Sequence, residues 1–474
     1  MKYYLVSLGC PKNTVDAEDM ALLLNAASHV QVDDPAQADL LLVNTCGFIE
    51  RARAESMQVL NDLAHRKRPA QRLVATGCLS QRDGAALARQ VPGLDGILGT
   101  RRWAEVVSLV DQLDRRRPLR RMRSGATAAV ALVGDSPVPT PRSAVSRPVP
   151  RVALQGSSGY LMIADGCSAP CAFCAIPLIK GPLCSRPMED VLADARYLAE
   201  QGMREIILIA QDTTAYGRDV GQPDALPDLL DALMAVVPQV PWVRLMYAYP
   251  QHVSQQLIET MAREDQIVHY LDLPLQHAHP ATLRRMGRPS DIDRVCHLVD
   301  DLRRAMPDIA LRTSFIVGYP GETEVEFRAL EQFVQEVQFD KVGVFTYSPE
   351  EGTRAIDLPG HVPQEVKQER FDRLMSRQQA ISLARNQAQV GRTLAVLVEG
   401  QGEVKPEESA VPPDAREAGE EGAISVGRCY RDAPEIDGMV LIEEPLEPGR
   451  MVQVQITGAM EYDLVGAVVG QRDA

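Results

Sequence analysis

The stretch Ile163-Ala164-Asp165-Gly166-Cys167-Ser168-Ala169-Pro170-Cys171-Ala172-Phe173-Cys174 sets three thiols in a C-x3-C-x2-C run directly behind an apolar segment. Three thiolates at this spacing can wrap one face of a cubane iron–sulfur cluster. Clusters that only carry electrons take a fourth cysteine, and the next one here, Cys184, lies ten residues beyond Cys174. One iron is therefore left open to a small ligand, which points to chemistry rather than electron storage. Part of a zinc site with a remote His is the competing reading. Zinc sites usually read as C-x2-C pairs, however, and no partner pair follows. A secreted disulfide framework fits worst. The cysteines form no even ladder, and the first residues read as a strand rather than a charged and apolar leader.

Working outward, apolar runs at 160–164, 206–210, 242–246, 270–275, 312–317 and 341–345 alternate with helical patterns at 188–201, 226–237 and 324–335. Continuous apolar runs bounded by turn residues read as buried parallel strands. The series predicts an α/β fold, a parallel β/α barrel or partial barrel. The cysteine loop then follows the first strand, at the carboxyl end where barrel chemistry sits. A helix over 374–390 leads out of it.

On the amino-terminal side, Cys10, Cys46 and Cys78 each end an apolar run: Tyr3-Tyr4-Leu5-Val6-Ser7-Leu8-Gly9, Asp39-Leu40-Leu41-Leu42-Val43-Asn44-Thr45 and Arg72-Leu73-Val74-Ala75-Thr76-Gly77. Helical patterns at 16–27 and 48–64 separate the runs, so the order β-α-β-α-β predicts a parallel sheet. All three thiols then fall at its carboxyl edge, where ligands collect in open α/β sheets. A second cluster held by three cysteines is the sharp reading. Three ordinary buried thiols are the bland one, and their equivalent placement at three strand ends speaks against it.

Residues 115–150 carry a basic run and then a Pro-rich tract, which reads as a semi-extended linker. Beyond 386 the pattern changes to short β-rich runs at 393–398, 423–430, 438–442, 451–456 and 464–469, predicting a small β-barrel. A Glu- and Pro-rich insertion over 402–422 interrupts it. The chain of 474 residues has a net charge of −14. Residues 386–474 hold seven Lys and Arg against seventeen Asp and Glu, so most of that excess sits in this one region. A surface that grips nucleic acid should be basic, and this one is acidic. No apolar run approaches the roughly 18 residues of a membrane span.

With both triplets placed, the whole chain resembles the methylthiotransferases. The resemblance implies a cluster domain over 1–114, a linker over 115–150, a radical S-adenosylmethionine (SAM) β/α domain over 151–385 and a TRAM β-barrel over 386–474. Within that group Ser7-Leu8-Gly9-Cys10-Pro11-Lys12-Asn13, Ala210-Gln211-Asp212-Thr213-Thr214, Leu273-Pro274-Leu275-Gln276-His277-Ala278 and Tyr347-Ser348-Pro349-Glu350-Glu351-Gly352-Thr353 resemble the RimO type. The tRNA-modifying sister type, MiaB, typically has Gln-Met-Asn after the first cysteine. The resemblance implies methylthiolation of an aspartate β-carbon in ribosomal protein S-twelve, a basic protein that an acidic barrel suits better than tRNA would. It implies two [4Fe-4S] clusters, one on Cys167, Cys171 and Cys174 and one on Cys10, Cys46 and Cys78. SAM serves as radical source and methyl donor, with an external electron donor. It places SAM near Phe173, Gln211 and Asp212 and near Gly318-Tyr319-Pro320, and assigns no catalytic side chain beyond the cluster ligands. Cys184, Cys296 and Cys429 fit neither triplet and read as structural thiols. The expected setting is the cytoplasm.

Overall fold

The structure, a computed structural model, describes residues 1–115, 130–132, 150–403 and 423–470. Its first sheet is parallel throughout, in the order β2-β1-β3-β4-β5-β6. The strands are β1 (Lys2–Ser7), β2 (Val30–Gln31), β3 (Leu40–Thr45), β4 (Arg72–Thr76), β5 (Gly96–Gly99) and β6 (Val130–Leu132), with helices α1 (Pro11–Ala26), α2 (Glu50–Arg66), α3 (Gly77–Gln90) and α4 (Val106–Arg115) between them. Every residue of β3 is buried, as its leucine run demands of a central strand. Alternate side chains serve opposite faces. Leu40 and Leu42 meet Met20 and Leu24 of α1, while Leu41 and Val43 meet Leu60 of α2 and Leu79 of α3. The linker reading needs one correction: Val130–Leu132 add a parallel strand beside β5. The rest of that tract lies outside the described residues.

The second sheet runs β15-β14-β13-β12-β11-β8-β7. Its strands are β7 (Val152–Gln155), β8 (Ser158–Met162), β11 (Glu205–Ile209), β12 (Trp242–Leu245), β13 (Ile267–Asp272), β14 (Ala310–Val317) and β15 (Lys341–Thr346). Six strands are parallel, and β7 folds back antiparallel on β8. The sheet is open, so the partial barrel is the form realised. A short ribbon of β9 (Ala164–Asp165) and β10 (Cys184–Ser185) brackets the cysteine loop, which contains the single turn α5 (Ile176–Ile179). Outer helices follow: α6 (Met188–Glu200), α7 (Ala225–Val236), α8 (Gln255–Arg263), α9 (Pro280–Met286), α10 (Ile292–Ala305) and α11 (Glu324–Val337). The exit helix α12 (Gln364–Gln387) starts ten residues earlier than its apolar pattern indicates.

Five strands then close into a barrel in the order β16-β17-β18-β20-β19: β16 (Thr393–Glu403), β17 (Ala423–Cys429), β18 (Val440–Ile442), β19 (Met451–Ala459) and β20 (Leu464–Val468). Closure removes the free edges that short strands would otherwise expose. Of the insertion at 402–422, residues 404–422 lie outside the described residues. Among those described, no helix is long and apolar enough to cross a membrane.

Candidate active site

The β9–β10 ribbon pins the neck of the cysteine loop, pairing Cys184 with Asp165. Gly166 turns the chain at a φ of +73°, and a Cβ there would stand 2.0 Å from the Pro182 carbonyl oxygen. Only glycine fits that close approach. The loop is then fastened on both sides. The Cys167 N–H donates to the Gly181 carbonyl at 3.0 Å, the Ala172 N–H to Met286 at the end of α9 at 2.7 Å, and the Ala355 N–H to Ala172 at 2.9 Å.

Three donors face the sulfurs. The Ala169 and Ile176 backbone N–H groups approach Cys167 Sγ and Cys174 Sγ, each at 3.4 Å, and Arg288 Nη1 stands 3.8 Å from Cys171 Sγ. Burial pushes the Cys167 thiol up and the Cys174 thiol up to about 12. A metal must therefore displace their protons. Among the described residues, no three Cys, His, Asp or Glu groups converge on a point that could hold a single ion. The donor set fits the cluster.

Beside the loop lies a cavity of about 630 Å³ lined by Cys167, Asp212, Tyr249, His252 and Arg288 among others. Of the residues expected to hold SAM, Asp212 faces this cavity, and its carboxylate meets Thr214 Oγ1 at 2.6 Å and His252 Nδ1 at 2.9 Å. Gln211 turns aside: its Nε2 donates to Asp165 at 2.9 Å, and its buried Oε1 has no partner. Phe173 is half-buried against a cluster containing Tyr319 and Tyr347. Gly318, Tyr319 and Pro320 do not line the cavity. The side chain of Lys367 covers Gly318, and the Tyr319 hydroxyl donates to the Arg285 carbonyl at 3.1 Å. Arg285 Nε in turn donates to the Pro320 carbonyl at 3.2 Å. Tyr249, His252 and Arg288 escaped the sequence reading. Their one signal was position, since Tyr249 and His252 follow the carboxyl end of β12, where barrel sites gather.

The dispersed triplet assembles at the carboxyl edge of the first sheet. Cys10 precedes α1, Cys46 follows β3 and Cys78 lies in the first turn of α3. Gly9, at a φ of +93°, lets its turn lie against Cys46, since a Cβ there would be 2.7 Å from Cys46 Cβ. The three thiols are close enough to feel one another electrostatically. Cys46 and Cys78 are buried and Cys10 is exposed. Cys78 packs directly on Ala175 and Ile179 of the other cysteine loop. The two triplets are thus neighbours across the junction of the two sheets. Of the remaining cysteines, Cys429 is buried and donates to Asp432 at 3.0 Å, and Cys296 packs on the second sheet's core.

Comparison with known proteins gives three family matches: the uncharacterized protein family UPF0004 at residues 2–99, the radical SAM superfamily at 161–334 and the TRAM domain at 390–469. The "ribosomal protein uS12 methylthiotransferase RimO" of Roseiflexus sp. (strain RS-1) is 48% identical over 475 residues, covering 99% of this chain and 97% of that protein. The protein of the same name from Chloroflexus aurantiacus is 48% identical over 468 residues, covering 98% and 99%. Among solved structures, the radical S-adenosylmethionine methyltransferase TsrM from Kitasatospora setae shares the fold, with a TM-score of 0.54 at 16% identity over 73% of this chain and 72% of that one. The family matches and relatives together define a radical-SAM enzyme of the methylthiotransferase class. Within that class, identity sustained along the whole chain shows that it belongs to the RimO family of ribosomal protein uS12 methylthiotransferases.

Proposed function

We propose that the protein methylthiolates the β-carbon of an aspartate in ribosomal protein uS12, the S-twelve protein of the family resemblance. The carrying observation is the contact of the two cysteine triplets through Cys78, Ala175 and Ile179. In this reading a radical-generating centre and a sulfur-delivering centre lie near enough to act on one substrate. Cys167, Cys171 and Cys174 would hold the first cluster, and Cys10, Cys46 and Cys78 the second. When bound, the clusters and SAM supply the radical that breaks an unactivated C–H bond, the sulfur and the methyl group. The chain itself binds, orients and excludes water. Asp212, held by Thr214 and His252 at the cavity wall, is placed to receive the ammonium of SAM, and Phe173 flanks the cluster loop. Gln211 acts one step back by fixing Asp165, and Gly318, Tyr319 and Pro320 support the wall under α9.

The partners in this reading are uS12 and an external electron donor, in the cytoplasm, and the acidic barrel disfavours tRNA. Anaerobic iron and sulfide analysis, combined with mass spectrometry of uS12 after incubation with SAM and a reductant, tests the proposal. It expects iron for two clusters and one methylthio group on a single aspartate. Methylthiolated tRNA with unmodified uS12 would replace it with the tRNA-modifying reading.

A further inference from the structure

Lys12 enters α1 two residues after Cys10 and is only 8% exposed. Its Nζ lies 2.9 Å from the centroid of the Tyr247 ring. Tyr247 follows β12 in the left-handed region, at a φ of +64°. The side chain therefore crosses the junction between the sheets, from the first triplet towards the carboxyl end of the second sheet. Among the described residues its ammonium makes no hydrogen bond and no ion pair; the ring is its sole close partner.

The cations grouped around it are all matched. Lys180 Nζ is 2.6 Å from Asp16. Arg151 spans Asp16 at 2.8 Å and Asp19 at 2.6 Å. Arg312 holds Asp272 at 2.9 Å. The negative groups whose field reaches Lys12 are Cys10 first, then Asp272 and Asp165; Cys10 makes no direct contact with the ammonium, and each carboxylate is engaged by one of those cations. Two buried acceptors have no partner: Oδ2 of Asp272, and Oε1 of Gln211, whose Nε2 donates to Asp165. The junction thus holds one unmatched cation and two unmatched acceptors.

A buried ammonium is costly to leave unpaired, and a carboxylate entering beside it offsets that cost. An aspartate residue carries the complementary set, a carboxylate to accept from Lys12 and a backbone N–H for a free acceptor. This deepens the uS12 reading and rests on it. We propose that Lys12 takes the carboxylate of the substrate aspartate, fixing its β-carbon between the two triplets and rejecting uncharged residues. A neutral amide leaves the ammonium unmatched, and discrimination by an unpaired buried group is strong.

The test uses the reconstituted holoenzyme and full-length uS12 with the target aspartate intact or changed to asparagine. The parent enzyme should bind the aspartate form roughly 10- to 100-fold more tightly. Lys12→Met should bind both forms alike, and Lys12→Arg should restore part of the preference. Iron content is measured on each variant. A Lys12→Met enzyme that keeps the preference would overturn the proposal. So would one that loses iron from the first triplet, because Lys12 would then be supporting a cluster. Methylthiolation of uS12 by the parent enzyme is scored separately, so failure of the uS12 reading is distinguishable from failure of the Lys12 assignment.

Discussion

The two triplets have different expected failures when a cysteine is removed. Cys171→Ala takes a ligand from a loop fastened at Gly181, Met286 and Ala355, so the backbone stays in place while the donor set is incomplete. Deoxyadenosine release should fall to background, with about half of the iron retained on the other triplet. Cys46→Ala should do the reverse: SAM cleavage persists and methylthiolation stops. The two assays, chromatography of deoxyadenosine and mass spectrometry of uS12, separate the roles; unchanged methylthiolation by Cys46→Ala would return Cys10, Cys46 and Cys78 to ordinary core thiols. The grouping of these six residues into two sites was legible because spacing and strand ends are sequence properties. So was the strand-end position of Asp212. What covers Gly318-Tyr319-Pro320 was not, because a strand-to-helix turn looks the same whether it faces a ligand or, as here, the side chain of Lys367. Lys12 could not be singled out from sequence, since a lysine at a helix start is usually solvated, and only the packing shows that it lacks a carboxylate.

Helix α1 and the cysteine loop are coupled through one buried carboxylate. Asp16 accepts from Lys180 at 2.6 Å, Arg151 at 2.8 Å and Thr100 at 3.0 Å. Burial alone would raise its pKa, but the two cations outweigh that and hold it below the ordinary carboxylate range. Asp16→Asn leaves two buried cations short of a partner, at a cost of roughly 3–5 kcal/mol. A drop in the denaturant midpoint should appear without iron, and the loss of iron from both triplets should follow it. An unchanged midpoint would show that the two sheets fold independently of this contact. Among elements, long apolar strands were read correctly and several amphipathic helices were passed over. Yet α8 and α10 announce themselves, with Ser254 and Asp291 accepting from the N–H groups of Leu257 and Arg294 at the helix starts. Capping residues ahead of a 3.6-residue apolar period are a usable signal. Strands β6 and β7 offered none, being three and four residues long and defined only by the neighbours they pair with.

The TRAM barrel is joined to the second sheet by buried charge. Glu205 at the foot of β11 meets Arg244 at 2.7 Å and Arg428 of the barrel at 2.6 Å, while Arg431 reaches Asp340 at 2.9 Å. Burial pushes the Glu205 carboxyl up, and the two guanidinium groups outweigh it, holding the pKa at about 2. Its folded value thus lies below the unfolded one of about 4.3. The contribution to stability is complete above the unfolded value and is lost as pH falls from there towards 2. Glu205→Gln should flatten the acid limb of the stability curve in that window. Deleting 386–474 would strip Arg428 from Glu205, so truncation is expected to weaken the radical-SAM sheet as well. Charge reversal on the barrel surface is the cleaner probe of docking. Two of the barrel's arginines, Arg428 and Arg431, are spent inward on these pairs, whereas Glu443, Glu444 and Glu447 stand exposed. Asp432 and Asp437 are likewise spent inward, on Lys341 and Arg312, so the outer face stays as acidic as the count of residues implies, and it should attract a basic protein rather than phosphate. Changing Glu443, Glu444 and Glu447 to Lys should slow association with uS12 by about tenfold at low salt. The gap between parent and variant should close as ionic strength rises and the Debye length shrinks below about 10 Å. Stopped-flow association across a salt series reads both effects. Equal rates at low salt would remove this face from the docking surface.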